Sequence, residues 1–443
     1  MTKITRKSIF TLFKILLIGI VTLEAVCALH SWTQTGLFPY TRSAIEDFHE
    51  QLIQLLPKHT INASDESGTP PPVIAQHPYM GFVYNYDRDI TFYDQPNSRF
   101  GFYSEYDAVY HKTSTNEYVV AVLGGSIATH VSVRAHNILY DKLASCPALK
   151  GRKIILNPLC QGGFKEPQSI LALVYFLTLG TEVDMVISIG GINELLFVYD
   201  NVKKYHIDPS FPLHWLSLSA EQSSDPVLVN QQWVIQHILS LKVRFADLLL
   251  KTRLYPSAIA RLGWNRIEKA LNRQLTLAQR GLDGRYAELS EQNALTYAQT
   301  GPGYVNLQND QDILREGAKI WENANTLLYS LLHAINIPYL VFLHPNQYYP
   351  NTKMLTEAEW ANCYNTNSPF YYPLSTGYEF IREAGMNLAL KGIPYYDLTE
   401  IFQNVKETTY EDECCHYTPL GNEIVASQLS EAICSFLGEI DSK

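Results

Sequence analysis

A serine that follows a strand-like apolar run is the first residue in this sequence able to do chemistry. Residues 118–123 are apolar without interruption, and two glycines separate them from Ser126. The glycines allow a sharp turn, and a helix is predicted to begin near Ile127, which would place the hydroxyl beside backbone N–H groups that can stabilise an oxyanion. Taken alone, the pattern is more typical of a structural turn or a helix N-cap, and Ala128 replaces the last glycine of the G-x-S-x-G elbow.

A histidine near the C-terminus provides a matching base. His416 lies in a polar loop, three residues after Glu413 and four after Asp412. A carboxylate in this position would orient the imidazole while its other nitrogen faces Ser126, which is the arrangement of nucleophile, base and orienting acid in a catalytic triad. The sequence favours Glu413 as the acid. Asp412, or a Ser–His dyad without an acid, are the alternatives.

Three more residues follow other strand-like runs and are candidates for the same site. The side-chain amide of Asn193 could donate to a developing oxyanion, or the residue could be a helix N-cap. Gly163 could supply a backbone N–H, or belong to an ordinary loop with Gly162. His344 is expected on the rim of the site, either touching the substrate or hydrogen-bonded as a structural histidine.

The elements that must position these residues form a regular alternation. Near-continuous apolar runs are typical of parallel strands buried on both faces, and here they alternate with helical patterns. The predicted strands are 118–123, 153–156, 185–189, 338–343 and 394–397; the predicted helices between and after them are 168–179, 311–335, 378–390 and 422–436. This rhythm predicts a doubly wound, three-layer α/β/α sheet, whose sites form beyond the carboxyl ends of the strands.

Two segments depart from the alternation. Residues 73–117 are predicted to be an N-terminal cap packed on the main domain, which spans 118–443. Residues 197–309 are predicted to be a helical insertion with helices at 231–252 and 255–280. Because it follows the third strand directly, at the mouth of the expected site, it is interpreted as a lid or as a structural elaboration.

The N-terminus predicts export from the cytoplasm. Lys3, Arg6 and Lys7 precede an apolar stretch, so residues 1–32 are interpreted as a transmembrane anchor, with a cleaved signal segment as the alternative. Glu24 is the residue least compatible with a bilayer. Residues 33–72 are interpreted as a juxtamembrane linker. The domain is then expected in the bacterial periplasm or at the cell surface.

The order of the chemical residues resembles the four blocks of SGNH (GDSL-type) esterases and lipases. The similarity extends over about 118–437, and three stretches are similar to membrane-anchored bacterial members: 157–168, 343–348 and 415–422. It implies a flavodoxin-like fold and acyl transfer to water without metal or cofactor. Ser126 would be the nucleophile and His416 its base, while the amides of Ser126, Gly163 and Asn193 would form the oxyanion hole.

Two positions differ from the family pattern. Gly125 stands where the family has the Asp of Gly-Asp-Ser, and Glu413 stands where it has the Asp three residues before the histidine. The first difference has little effect on the expected chemistry, because that Asp is not the base that activates the nucleophile. The second leaves the orienting acid open.

The predicted function is that of an exported serine esterase. Its substrate would be an acetyl or short acyl ester on a cell-envelope glycan, or a lipid ester. The alternatives are an O-acyltransferase with the same triad, and a non-catalytic domain of this type that binds glycan or scaffolds envelope proteins. The net charge of −10 and the absence of a basic stripe disfavour a nucleic-acid partner.

Overall fold

The strands fall into one central sheet and two small hairpins, as seen in a computed structural model. The model describes residues 6–35, 38–53, 55, 74–86, 91–92, 95–219, 225–291, 297–302, 307 and 309–441. The strands in these residues are β1 (Ile74–His77), β2 (Gly81–Tyr84), β3 (Thr91–Phe92), β4 (Gln95–Pro96), β5 (Glu117–Gly124), β6 (Lys153–Cys160), β7 (Met185–Gly190), β8 (Tyr339–Leu343) and β9 (Tyr395–Asp397).

Helices account for most of the remaining described residues. They are α1 (Arg6–Thr35), α2 (Arg42–Ile53), α3 (Ser126–Arg134), α4 (His136–Ala144), α5 (Gln168–Thr178), α6 (Ile192–Lys203), α7 (Trp215–Ser219), α8 (Pro226–Lys251), α9 (Ala258–Glu291), α10 (Tyr297–Thr300), α11 (Asp310–Ala334), α12 (Glu357–Asn362), α13 (Tyr371–Leu390) and α14 (Pro419–Asp441). A short 3₁₀ helix covers Pro147–Leu149.

The central sheet has five parallel strands in the order β6-β5-β7-β8-β9. Within this sheet, the chain runs from β5 to the edge strand β6. It then crosses back past β5 to form β7, β8 and β9 in turn. Every residue of β8 is buried, as are all but the last of β7, which is the pattern expected of strands covered on both faces. The mixed α/β fold with a parallel sheet, predicted from the alternation of apolar runs and helices, is therefore confirmed.

Two compact units divide the described residues. One contains the sheet, its helices and the β1–β2 hairpin, so that the predicted cap belongs to the same unit as the main domain. The other is built from α1, α2, α8 and α9 as far as Arg285. Within this second unit, Phe48 and Leu52 of α2 form an apolar cluster with Ala246 of α8 and Trp264 of α9.

The predicted insertion at 197–309 is thus divided rather than continuous. Its central helices, α8 and most of α9, belong with α1 and α2 because their apolar faces pack together. Its flanks, including α7 and α10, belong to the sheet unit. Periodicity reveals the helices of this segment but not the surface on which they pack, and its role as a lid or as a structural elaboration stays a prediction.

Glu24 has a structural role within the second unit. Its carboxylate accepts hydrogen bonds from the Tyr40 hydroxyl, from the Ser257 hydroxyl, and from the backbone N–H groups of Ala258 and Ile259. It therefore caps the N-terminus of α9, where a negative charge is favourable. These hydrogen bonds outweigh the effect of burial and lower the pKa of Glu24.

α1 covers the segment predicted to be a membrane anchor. No helix within the described ranges combines the length and the apolarity needed to cross a bilayer. Of the predicted linker, residues 36–37, 54 and 56–72 lie outside the described residues, and Arg42–Ile53 forms α2.

Candidate active site

The turn after β5 places Ser126 at the carboxyl edge of the sheet. Gly124 has a φ of +135°, and a Cβ on it would lie 2.1 Å from the Ile189 carbonyl oxygen. A Cβ on Gly125 would lie 2.2 Å from Nδ2 of Asn193. Gly124 is therefore required by its backbone conformation and by the close approach of Ile189, whereas a side chain at position 125 would have to displace the Asn193 amide. The chain enters α3 at Ser126 itself. The hydroxyl lies next to the first N–H groups of that helix.

His416 lies next to Ser126 with the orientation of a catalytic base. Its Nε2 is 2.9 Å from the Ser126 Oγ, and its Nδ1 is 2.5 Å from Oδ2 of Asp412. Because an ionised carboxylate only accepts hydrogen bonds, Nδ1 carries the proton of the neutral ring. The lone pair of Nε2 then faces the serine hydroxyl, which is the tautomer required to remove its proton.

The orienting acid is Asp412 and not Glu413. Oδ1 of Asp412 accepts from the backbone N–H groups of Cys414, Cys415 and His416, so the carboxylate organises the turn that carries the base. Burial opposes its ionisation, but the hydrogen bonds from His416 and the backbone prevail and lower the pKa of Asp412 to about 2. Glu413 instead accepts a hydrogen bond from the Asn365 side chain at 3.1 Å, so the preference for Glu413 is corrected.

The predicted donors Gly163 and Asn193 lie on two turns beside Ser126, whose own backbone N–H is the third predicted donor. Residues 161–164 form a tight turn, closed by the Phe164 N–H donating to the Gln161 carbonyl, with Gly163 at a φ of +84°. The Asn193 amide lies against Gly125 and donates to the Phe164 carbonyl at 2.7 Å, which leaves its second N–H available. The cap of α6 is Gly191, so Asn193 is not the N-cap that the alternative interpretation proposed.

Glu194 connects the two turns that carry these donors. One of its oxygens accepts from the Gly191 N–H at 3.0 Å and the other from the Glu166 N–H at 2.8 Å. Glu194, Glu166 and Lys165 are all buried, and burial raises the pKa of Glu194, raises the pKa of Glu166 to about 8 and lowers the pKa of Lys165 to about 7. The Lys165 ammonium donates to the Pro209 carbonyl at 2.7 Å.

His344 is buried behind the site and does not form its rim. Only 3% of it is exposed, and it lines a small cavity together with Ser126 and Trp321. Its Nδ1 is 3.0 Å from the Tyr417 hydroxyl, which itself donates to the Pro345 carbonyl. This geometry agrees with the interpretation of His344 as a hydrogen-bonded structural histidine, and its contact with substrate stays a prediction.

His130 and Tyr84 are beside the site, although sequence analysis gave neither a role. The His130 ring stacks on that of His416. The sequence feature that could have indicated His130 is its position one helical turn after Ser126, which places it on the same face of α3. The Tyr84 hydroxyl lies 3.0 Å from the point where a Cβ on Gly162 would be, and Ser126 Cβ lies 4.0 Å from that point. Tyr84 belongs to β2, far from Ser126 in sequence, so no local pattern indicated it.

Cys415 is the other nucleophilic group close to Ser126. Its Sγ is 2.9 Å from that of Cys414, and it lines the same small cavity as Ser126. The hydrogen bond with Cys414, together with burial, raises the pKa of the Cys415 thiol well above its usual value. A protonated thiol is a poor nucleophile, so the geometry favours Ser126 as the attacking atom. Within the described residues, no group of three or more His, Cys, Asp or Glu side chains is arranged to hold a metal ion.

Comparison with protein-family models finds no match for this chain, and comparison with curated proteins finds no significant similarity. Any function proposed for this chain therefore rests on its residues and their geometry.

Proposed function

We propose that this chain is a serine esterase of the SGNH type that hydrolyses an acyl ester. The observation that carries the proposal is the continuous line from Asp412 through His416 to Ser126, with separations of 2.5 Å and 2.9 Å. The strand order, which in sequence terms is 2-1-3-4-5, is that of flavodoxin-like sheets, and the three residues lie where such sheets bind ligands.

The geometry supports a two-step acyl transfer. The Ser126 oxygen attacks the ester carbonyl while His416 Nε2 takes its proton, and Asp412 stabilises the imidazolium that forms. The backbone amides of Ser126 and Gly163 and the side chain of Asn193 hold the oxyanion. His416 then protonates the departing alkoxide, which leaves an acyl group on Ser126. In the second step, water gives a proton to His416 and attacks the acyl carbonyl. The bond between the acyl group and the Ser126 oxygen then breaks as His416 returns the proton to that oxygen, which releases the carboxylic acid and restores the resting site.

Aromatic rings near the site favour a glycan as the carrier of the ester. Phe92 and Tyr84, which are both partly exposed, pack against Tyr103, which is buried, with 5.3 Å and 4.6 Å between the ring centroids. Flat aromatic side chains with polar groups are suited to packing against sugar rings. Leu213 lies over Gly163, where its side chain limits the space beside the oxyanion donors. We propose that the acyl group is acetyl or another short chain.

Covalent labelling of the full-length chain tests the proposed chemistry. A fluorophosphonate probe should label the wild-type protein, and Ser126→Ala should abolish labelling while Ser145→Ala, which changes an exposed serine, retains it. His416→Ala should slow labelling by about 10²- to 10⁴-fold, the usual contribution of a general base. Wild-type protein that is folded but not labelled would contradict the proposal, as would equal labelling of Ser126→Ala.

The acceptor is tested separately, once labelling depends on Ser126. Release of acetate from an acetylated glycan without added sugar supports hydrolysis. Transfer of the acetyl group to an added acceptor sugar, with little free acetate, would instead favour an acyltransferase with the same residues. If, instead, the folded wild-type protein is not labelled by the probe but binds acetylated glycan, a non-catalytic binding domain would be favoured.

We also propose that the site functions outside the cytoplasm. The support is in the sequence, where Lys3, Arg6 and Lys7 precede an apolar stretch. The mass of the mature N-terminus distinguishes a retained segment from a cleaved one. Recovery of the intact protein only from the cytoplasmic fraction would contradict this proposal without affecting the proposed chemistry.

A further inference from the structure

Two histidine rings stack face to face in the candidate active site. The centroids of His130 and His416 are 4.7 Å apart and their planes differ by 18°. His130 is four residues after Ser126 in α3, so its side chain emerges on the same face of that helix as the serine. Its ring therefore covers one face of the base, while Ser126 and Asp412 contact the edge of that base.

His130 is itself held in place on two sides. Phe92 packs against it with 5.2 Å between the centroids. The Arg134 guanidinium lies 3.5 Å from His130 Nδ1, and it also donates to the Glu411 carboxylate and to the Tyr417 carbonyl.

The surroundings of His130 keep its ring uncharged. Burial, then the charge of His416 and then that of Arg134 lower the pKa of His130 to about 3, against the opposing effect of Asp412. An uncharged ring can lie against an imidazolium, since the face of an aromatic system attracts a cation. A charged ring in the same position would repel it.

The edge contacts of His416 resist a small rotation of its ring only weakly. Rotation about the Cβ–Cγ bond tilts the ring plane, and the hydrogen bonds at Nδ1 and Nε2 oppose a small tilt only by bending or lengthening. A tilt moves the Nε2 lone pair away from the serine hydrogen, and small misplacements in an active site cause large losses of rate. A flat ring packed on one face restricts that tilt.

We propose that His130 is a positioning residue that fixes the ring plane of His416 by stacking on it. The proposal rests on the proposed esterase function for its catalytic consequence, whereas the stacking is a property of the resting protein. His130 acts through His416, and its contribution comes from the flat face of the ring rather than from proton transfer.

Substitutions that keep or remove the flat ring test this role. His130→Ala should slow fluorophosphonate labelling of Ser126 by about 10- to 100-fold. His130→Phe should remain within about threefold of wild type, because a phenyl ring restores the flat face without a nitrogen. His111→Ala, which changes an exposed histidine, is the control and should label at the wild-type rate.

Nuclear magnetic resonance of histidine-labelled protein provides a readout that does not depend on activity. The ring protons of His416 should show an upfield ring-current shift that is lost in His130→Ala and retained in His130→Phe. If the wild-type protein shows this shift and yet does not label, the esterase proposal fails while the stacking is upheld. A shift unchanged in His130→Ala overturns the inference, as does a folded His130→Phe variant that labels as slowly as His130→Ala.

Discussion

The carboxylate of Asp412 lies 2.5 Å from Nδ1 of His416, four residues further along the same loop. The other oxygen of that carboxylate accepts three backbone N–H groups, from residues 414 to 416. The acid therefore holds both the ring of the base and the peptide segment from which the base projects. This double role explains why the nearer neighbour in sequence, Glu413, is free to contact Asn365 instead.

The two carboxylates are distinguished by isosteric substitution. Asp412→Asn should lower the rate of Ser126 labelling by about 10³- to 10⁴-fold, because an amide can donate to Nδ1 and favour the wrong tautomer of the ring. Glu413→Gln should stay within about threefold of wild type, since an amide can still accept from Asn365. The rates are measured with the fluorophosphonate probe at pH 8. A larger loss in Glu413→Gln than in Asp412→Asn would restore Glu413 as the acid.

A side chain at position 125 should displace the Asn193 amide, which occupies the space beside Gly125. Gly125→Ala places a methyl group 2.2 Å from the present position of Asn193 Nδ2, so the amide must move. We expect a fall in labelling of about 10²- to 10³-fold, the usual effect of losing one oxyanion donor.

Gly438→Ala is the matched control for that variant. Gly438 lies in α14, and a Cβ there has no heavy atom within 4 Å. Its labelling should not change, and the free energy of unfolding should rise by about 1 kcal/mol from improved helix propensity. Labelling of Gly125→Ala at the wild-type rate would contradict the placement of Asn193 beside Ser126.

Much of the fold could be predicted because burial leaves a periodic record. The runs at β5, β7 and β8 are apolar throughout since both faces of the sheet are covered, and their order brings residues after each strand to one edge. Ser126 and His416 could be paired on that basis. The features that the sequence did not predict depend on the conformation of a loop or on contacts between segments distant in sequence.

Particular residues illustrate this limit. The choice of Asp412 over Glu413 depends on a loop conformation set by three backbone hydrogen bonds, and no side-chain pattern records it. The burial of His344 depends on Tyr417, far along the chain. Likewise, the helices of the segment 197–309 are visible in its periodicity, whereas the packing of α8 and α9 with α2 is not.

Glu194 should be needed for the relative position of the two donor turns. Glu194→Gln leaves the Gly191 or the Glu166 N–H facing an amide N–H, and an unpaired buried donor costs about 1–3 kcal/mol in the free energy of unfolding. We also expect labelling of Ser126 to fall by about 10-fold, because the turns that carry Gly163 and Asn193 lose their link.

Urea unfolding and labelling are measured on the same samples of this variant. Glu423→Gln, which changes an exposed carboxylate, should alter neither quantity and serves as the control. Lost stability with unchanged labelling would show that the link between the turns stabilises the fold but does not position the donors.

His344 should make the folded protein less stable as the pH falls. Burial and, to a smaller extent, repulsion by His416 lower the pKa of His344 to about 4, although the hydrogen bond with the Pro345 carbonyl opposes them. An unfolded histidine has a pKa of about 6.5, so between about pH 6.5 and 4 the unfolded chain binds the extra proton. The free energy of unfolding therefore decreases as the pH is lowered through this window, by up to about 3 kcal/mol from this residue.

His344→Asn isolates that contribution, because an amide keeps a donor for Tyr417 and does not titrate. The variant should be less stable than wild type at pH 7.5, and the difference should shrink as the pH falls toward 4.5, since only the wild type loses the contribution of His344. His130, which is half-buried and uncharged, remains in both proteins and cancels in the comparison. His111→Asn, at an exposed site, should follow the wild-type curve. Parallel urea-unfolding curves for wild type and His344→Asn at every pH would show that His344 is not held in its neutral form by burial.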